Sequence, residues 1–82
     1  MDYVLTEHAQ DVLEKRQIPI AWVEQALTRP ELTENDLVDL DLEHRLACIP
    51  EFENRVLRVI VNTKKTPPHV VTAFFDRRRV CP

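Results

Sequence analysis

Residues 54–79 constrain the fold of this chain more than any other segment, because they read as two strands joined by a short basic loop. Residues 55–62 are rich in Val, Ile and Leu, and residues 69–76 are rich in Val and Phe. Both runs have the length and the β-branched or aromatic composition of strands. The loop between them contains Pro67 and Pro68, which cannot donate to a sheet ladder. The segment therefore predicts a hairpin at the centre of a sheet.

Strict alternation divides the side chains of this hairpin between two faces. One face would carry Leu57, Val59 and Val61 with Val71, Ala73 and Phe75, and the other Val56, Arg58 and Ile60 with Val70, Thr72, Phe74 and Asp76. Both faces are apolar in the middle, whereas a sheet with one solvated face alternates more cleanly. We therefore expect the second face to be covered by a loop, by a copy of the chain in a homodimer, or by a partner protein.

The first thirty residues predict a short edge strand and two helices. Residues 2–5 alternate, and Thr6 is suited to cap a helix over residues 6–16. Pro19 is suited to the first turn of a second helix over residues 19–29, which Pro30 would end. Leu13, Trp22, Val23 and Leu27 form the apolar side that would pack on the sheet.

Residues 31–43 leave two interpretations open. Val38, Leu40 and Leu42 alternate with acidic residues, as in a strand, but Asp and Glu are poor strand formers, so a solvated approach to the next strand is the alternative. Residues 44–50 predict a strand, followed by a turn at Asn54. The predicted order is β-α-α-β-β-β, an α+β fold in which two helices pack on a small, mainly antiparallel sheet, with a single domain over residues 1–82.

Composition excludes several classes of protein. The chain of 82 residues has no glycine, which excludes glycine-rich phosphate loops and dinucleotide fingerprints. The start of the chain shows no secretion signal, and no apolar run is long enough for a membrane span, so we expect a cytoplasmic protein. Cys48 and Cys81 form no CxxC motif; a disulfide is not expected, with Cys48 in the core and Cys81 an exposed thiol.

The charge is distributed unevenly along the chain. Residues 1–53 contain four Lys/Arg and thirteen Asp/Glu, whereas residues 54–82 contain seven Lys/Arg and one Asp. This asymmetry indicates a polyanion-binding face, although the opposite charges could instead pair with each other. The acidic cluster Asp36, Asp39, Asp41 and Glu43 lacks a calcium-loop pattern and is more typical of a solvated strand face, so neither a metal nor another cofactor is expected.

Five segments of the chain carry a resemblance to a known family. The segments LTEHA, KRQIP, WVEQALTRP, HRLACIPEFENRVLRVIVN and PPHVVTAFFDRR resemble the bacterial family catalogued as domain of unknown function 4258. That family looks related to the RelE-like and BrnT-like toxins of type II toxin–antitoxin modules. The resemblance implies a RelE-like fold, metal-independent cleavage of messenger RNA and an antitoxin as partner. The chain departs from the expected pattern at Gln10 and Val12, where basic residues would be expected.

Metal-free RNA cleavage needs a base for the 2′-hydroxyl and cations at the scissile phosphate. We predict His8 as the proton carrier, with Arg58 and Arg77 at the phosphate. The predicted RNA-binding residues are Arg16, His44, Arg45, Arg55, Lys64, Lys65 and Arg78. Three alternatives stay open: Arg58 could form a structural ion pair with Asp76 or an upstream acid, Arg77–Arg79 could be a solvated tail, and the lysines could protect a sheet edge.

Two functions are therefore predicted. The first is a toxin that acts as a metal-independent endoribonuclease. The second is a non-catalytic protein-interaction module that keeps a toxin-like fold and binds through its second sheet face.

Overall fold

The computed structural model describes residues 2–81, in which two helices pack on one face of a five-stranded sheet. The helices are α1 (Glu7–Lys15) and α2 (Ile20–Thr28). The strands are β1 (Val4–Leu5), β2 (Leu32–Asn35), β3 (Leu42–Ile49), β4 (Arg55–Asn62) and β5 (His69–Phe75). Their spatial order is β1-β5-β4-β3-β2, with β1 parallel to β5 and every other pair antiparallel. The predicted α+β class and the central hairpin β4–β5 are confirmed.

Local signals account for where the helices begin and end. The Thr6 hydroxyl accepts a hydrogen bond from the Ala9 amide at 3.1 Å, which satisfies one of the amides that the first turn leaves unpaired. Pro19 directly precedes α2 with extended backbone angles, and Pro30 follows its end. Neither helix of the described residues is long and apolar enough to cross a membrane.

The alternation at residues 38–41 lies in a turn, as in the predicted alternative of a solvated approach to the next strand, and the predicted order lacked a strand that precedes this turn. The strand lies earlier, as β2, and residues 36–41 form a turn, so the order is β-α-α-β-β-β-β. In this turn the Asp36 carboxylate accepts the amides of Val38 and Asp39, and the Asp39 carboxylate accepts that of Asp41. Short acidic side chains that bond to the nearby backbone compete with ladder formation.

The core lies between the helices and one face of the sheet. Its sheet side is formed by side chains that alternate along β3, β4 and β5: Ala47, Ile49, Leu57, Val59, Val61, Val70 and Ala73. The helices contribute Leu13, Val23 and Leu27, as predicted, and Trp22 packs against the edge of this cluster. A β-bulge beside Val61 pairs it with Val70, so Val70 lies in the core and its predicted place on the second face is wrong.

The other face of the sheet, which carries Val56, Arg58 and Ile60, is called the open face below. It is not fully solvated, because the turn at residues 36–41 and the segment 77–81 lie at its margin and share grooves with it. Val56 is therefore buried although no helix covers it. Covering by a loop, one of the three predicted possibilities, accounts for the burial of Val56.

A disulfide joins Cys48 of β3 to Cys81, with Cα atoms 5.8 Å apart. That separation lies in the range that disulfides span. The prediction of two unpaired cysteines was wrong, because it considered their separation in sequence and not the return of the C-terminal segment over the open face. Cys81 is half-buried there.

Removal of this bridge is expected to lower the free energy of unfolding by about 2–4 kcal/mol, because the bridge limits the freedom of the unfolded chain. The test compares the urea midpoints of the oxidised wild type and Cys81→Ser. As a control, dithiothreitol should lower the midpoint of the wild type and leave that of Cys81→Ser unchanged. Equal midpoints for the two oxidised proteins would show that the bridge does not form.

Candidate functional site

Arg58 stands in the middle of β4 on the open face and forms a buried ion pair with Asp76. Its Nε and Nη2 atoms donate to Oδ2 of Asp76 at 3.1 and 2.7 Å. Arg58 is 7% exposed and Asp76 is 6% exposed. The pair forms because Asp76 directly follows β5, whose register with β4 places it beside Arg58. The predicted alternative of a structural ion pair is therefore confirmed.

Glu34 of β2 connects this pair to the C-terminal segment. One of its oxygens accepts from Nη1 of Arg58 at 3.2 Å, and the other accepts from Nη2 of Arg79 at 2.6 Å. Glu34 thus lies between two guanidinium groups. Arg79, which the sequence assigned to a solvated tail, is instead tied to the edge strand of the sheet.

His44 of β3 completes the network and has a defined tautomer. Its Nδ1 lies 2.8 Å from Nη1 of Arg58, and its Nε2 lies 2.7 Å from Oδ1 of Asp36. A guanidinium can only donate, so Nδ1 accepts, and Nε2 carries the proton that is donated to Asp36. Asp36 is itself held by two backbone amides in the turn. The result is a line of three groups, Asp36–His44–Arg58.

The three carboxylates of the network have lowered pKa values. Hydrogen bonds from Arg58 lower the pKa of Asp76 against the opposing effect of burial. The hydrogen bond from Arg79 is the largest cause of the lowered pKa of Glu34, and that from the Asp39 amide is the largest for Asp36, followed by that from His44. Each group therefore favours the charged form in the folded state.

These lowered pKa values predict a loss of stability in acid. A carboxylate whose pKa is lower when folded stabilises the fold above its unfolded value, here 3.8 for Asp and 4.5 for Glu. That contribution disappears as the pH falls through the folded value. The urea midpoint should be level above about pH 5 and fall progressively below it. Asp36→Asn should flatten this fall, whereas Asp11→Asn, on the exposed side of α1, should reproduce the wild-type curve; identical curves for all three would contradict the assignment.

A groove of about 480 Å³ opens beside this network. His44 and Arg58 lie at its base, and Phe74, Arg78 and Arg79 lie along its wall. The Arg78 side chain is 89% exposed, and its ion pair, from Nε to Asp76, is long at 3.6 Å, so most of its guanidinium faces solvent. The ring of Phe74 is half-buried and offers an apolar surface. The groove therefore combines an exposed cation, an aromatic face and a histidine.

A second groove, of about 500 Å³, lies on the other side of the C-terminal segment. It is lined by Arg55, Arg77 and Arg79, together with the carboxyl-bearing Glu53. Arg55 lies over the ring of Phe52, with the guanidinium carbon 5.1 Å from the ring centre. Arg79 lines both grooves and links them. The predicted residues Arg55 and Arg77 therefore share a surface, but Arg77 does not line the groove of Arg58.

The remaining predicted residues lie away from the network. His8 is exposed on α1, which packs on the face opposite Arg58, so the predicted pairing of His8 with Arg58 is not assembled. Arg16 follows α1, and Lys64 and Lys65 are exposed in the turn after β4. Arg45 faces the helices, where it donates to the carbonyl of Leu27 at 2.9 Å and to Glu43. It therefore caps the end of α2 and does not face solvent with the other cations.

Sequence reasoning missed Glu34, Asp36, Phe74 and Arg79 as members of the site. Asp36 was predicted to lie on a solvated strand face, with metal binding as the less favoured alternative, yet its carboxylate oxygens bind backbone amides and His44. Across residues 2–81 the structure shows no group of three or more His, Cys, Asp or Glu side chains arranged to hold a metal ion. Knowledge of the register of β3 against β4 would have revealed the contact between His44 and Arg58. The register sets which side chains of β3 lie next to Arg58 on the open face.

The comparisons with known proteins bear on the chain as a whole. A family model matches residues 5–75, which include both helices, strands β2 to β5, Leu5 of β1 and all members of the network except Asp76 and Arg79. No curated protein and no solved structure matches the chain. Because that match covers most of the chain, the chain belongs to the family described as Domain of unknown function (DUF4258).

Proposed function

We propose that this protein is a RelE-like, metal-independent endoribonuclease of the toxin type, with its active site in the groove on the open face. The observation that carries this proposal is the line Asp36–His44–Arg58. A carboxylate that fixes the tautomer of a histidine, whose second nitrogen faces a reacting group, is an arrangement that general-base catalysis uses repeatedly. Here the second nitrogen faces Arg58, the group best placed to meet a phosphate.

RNA binding would release the base from Arg58. A phosphodiester in the groove competes with His44 as an acceptor for Nη1, and the guanidinium then neutralises the phosphate. The freed Nδ1 takes the proton of the 2′-hydroxyl, and O2′ attacks phosphorus. The bond from phosphorus to O5′ breaks, and the leaving O5′ takes a proton from water. The products are a 2′,3′-cyclic phosphate and a 5′-hydroxyl. Asp36 stabilises the imidazolium that forms.

The walls of the groove fit the rest of the substrate. Single-stranded RNA is commonly held by stacking of unpaired bases on aromatic rings and by cations along the backbone. Phe74 provides the ring, and Arg78 provides an exposed cation beside it. Arg55 and Arg77 in the second groove extend the cationic surface around Arg79. An acidic or carboxylate-rich antitoxin covering this surface would block it.

A protein-interaction module is the second candidate, and the burial of Arg58 favours it. Its Nε, Nη1 and Nη2 atoms all contact protein acceptors, so every nitrogen of the guanidinium is already engaged. A network satisfied in this way stabilises a fold without any substrate. Under this proposal the open face would serve a partner protein, and expression of the chain would leave RNA intact.

Expression of the chain without an antitoxin distinguishes the two candidates. The endoribonuclease should stop growth and cut messenger RNA, and Arg78→Ala should weaken both effects because an exposed phosphate contact is lost. Lys65→Ala, an equally exposed cation on a distant turn, is the matched control and should remain toxic. Arg58→Ala is not a useful variant, because it leaves Asp76 buried and unpaired. Normal growth and intact RNA with soluble wild-type protein would favour the interaction module.

A further inference from the structure

Strand β2 and the turn that follows it form an exposed edge, called here the docking edge and comprising residues 31–41. β2 is the last strand in the sheet order, so within residues 2–81 no strand covers its outer side. Edge strands are usually protected by short length, charged side chains, proline or a bulge. β2 has four residues without lysine or proline, and its one charged residue, Glu34, is paired with Arg58 and Arg79. Its backbone groups are therefore open to a further strand.

Apolar side chains project into solvent beside this edge. Leu37 is 98% exposed, Val38 92% and Leu40 79%, and Leu32 within β2 is partly exposed. The turn that carries them is braced by the carboxylates of Asp36 and Asp39. It is further tied to the sheet through His44. A group of exposed apolar residues on a braced turn is typical of a protein-binding surface.

The charge of this region indicates the chemistry of its occupant. Residues 31–43 contain six Asp or Glu residues and no Lys, Arg or His. Glu34, Asp36 and Glu43 are paired within the chain. Asp39 and Asp41 remain exposed among the apolar side chains of the turn. A second copy that paired edge to edge would bring the same acids together, and like charges facing each other are destabilising; the occupant should therefore be basic.

We propose that the docking edge binds an extended segment of a partner protein in which apolar residues alternate with lysine or arginine. The segment adds to β2 as a sixth strand through backbone hydrogen bonds. Its apolar side chains pack on Leu32 and on the exposed residues of the turn. Its cations pair with Asp39 and Asp41. The docking edge borders the groove on the open face, because Leu37 and Val38 also line that groove. Docking itself requires no RNA, so it holds for either candidate function.

The test uses the full chain and a labelled ten-residue peptide in which valine and lysine alternate. Fluorescence anisotropy should show saturable binding that weakens with added salt, and amide shifts in NMR should locate it at residues 31–41. A peptide with glutamate in place of lysine should bind at least tenfold more weakly. Methylation of alternate amides, which removes the donors of a strand, should also weaken binding at least tenfold.

Variants of the chain provide the second part of the binding test. Leu37→Ser, Val38→Ser and Leu40→Ser combined should weaken peptide binding at least tenfold at an unchanged urea midpoint, because these side chains pack against nothing in the fold. Ile20→Ser, a partly exposed apolar residue at the start of α2, is the matched control and should bind normally. Absence of binding at millimolar peptide, equal affinity of the triple variant, or shifts on another surface would overturn the proposal. A wild-type dimer that the triple variant abolishes would also overturn it, in favour of a second copy.

Discussion

Asp76→Ala is expected to lower the free energy of unfolding by about 3–5 kcal/mol, the range found when one partner of a buried ion pair is removed. The cost arises because Arg58 remains in the sheet without the carboxylate that two of its nitrogens contact. Glu34 and His44 do not replace Asp76, since both contact the third nitrogen, Nη1. Urea unfolding at pH 7 measures this difference.

Two further variants show whether burial of the Arg58–Asp76 pair causes the expected loss of stability. Arg78→Ala removes the exposed partner of the same carboxylate and should change stability by less than about 1 kcal/mol, as exposed ion pairs do. Arg58→Met combined with Asp76→Leu removes both charges and should recover most of the loss. An Asp76→Ala protein within 1 kcal/mol of the wild type would mean that solvent reaches the pair.

His44→Asn should reduce kcat for RNA cleavage by about 10²–10⁴-fold, the contribution of a positioned general base, with little change in KM. Asparagine can place its side-chain oxygen near the position of Nδ1. Arg58 therefore keeps an acceptor, and only the proton carrier is lost. The measurement is single-turnover cleavage of a labelled RNA over a range of concentrations.

His8→Asn is the matched control for this experiment. His8 was predicted as the proton carrier, but it is exposed on the helix side of the sheet, so its replacement should leave kcat unchanged. If His8→Asn lost activity and His44→Asn stayed active, the general base would be His8 on α1. That result would contradict the assignment of the base to the open face.

Elements with local signals could be predicted from the sequence. A capping threonine, two prolines and the apolar periodicity of residues 7–28 set both helices, because these signals act within a few residues of one another. The strands of the central hairpin were predicted within one residue because their apolar composition ends sharply at Asn54 and at the prolines of the loop.

Features that depend on tertiary register could not be predicted. The bulge at Val61 moves Val70 into the core, and no residue pattern within β5 indicates that shift in register. The disulfide depends on the path of residues 77–81 across the open face. β2 was missed because three of its four residues are polar and three are exposed, whereas the clearer alternation that follows it belongs to a turn.

The residues of the candidate site divide in the same way, into those that local signals predict and those that depend on tertiary register. Arg58 was identified correctly as an unusual charge in an apolar strand, and its pairing with Asp76 was one of the alternatives that the sequence left open. From the sequence, His8 was predicted as the proton carrier and not His44, because only the pairing of β3 with β4 brings His44 to Arg58 and no local signal shows that pairing.

Ribonuclease activity at the open face is tested most directly in a cell-free translation extract that supplies both ribosomes and a defined messenger RNA. The purified chain is added, and the new RNA ends are mapped and their chemistry determined. We expect cleavage with 2′,3′-cyclic phosphate ends, and its loss with His44→Asn but not with His8→Asn. Intact messenger RNA with the folded wild-type chain, or equal cleavage by His44→Asn, would contradict the proposed site.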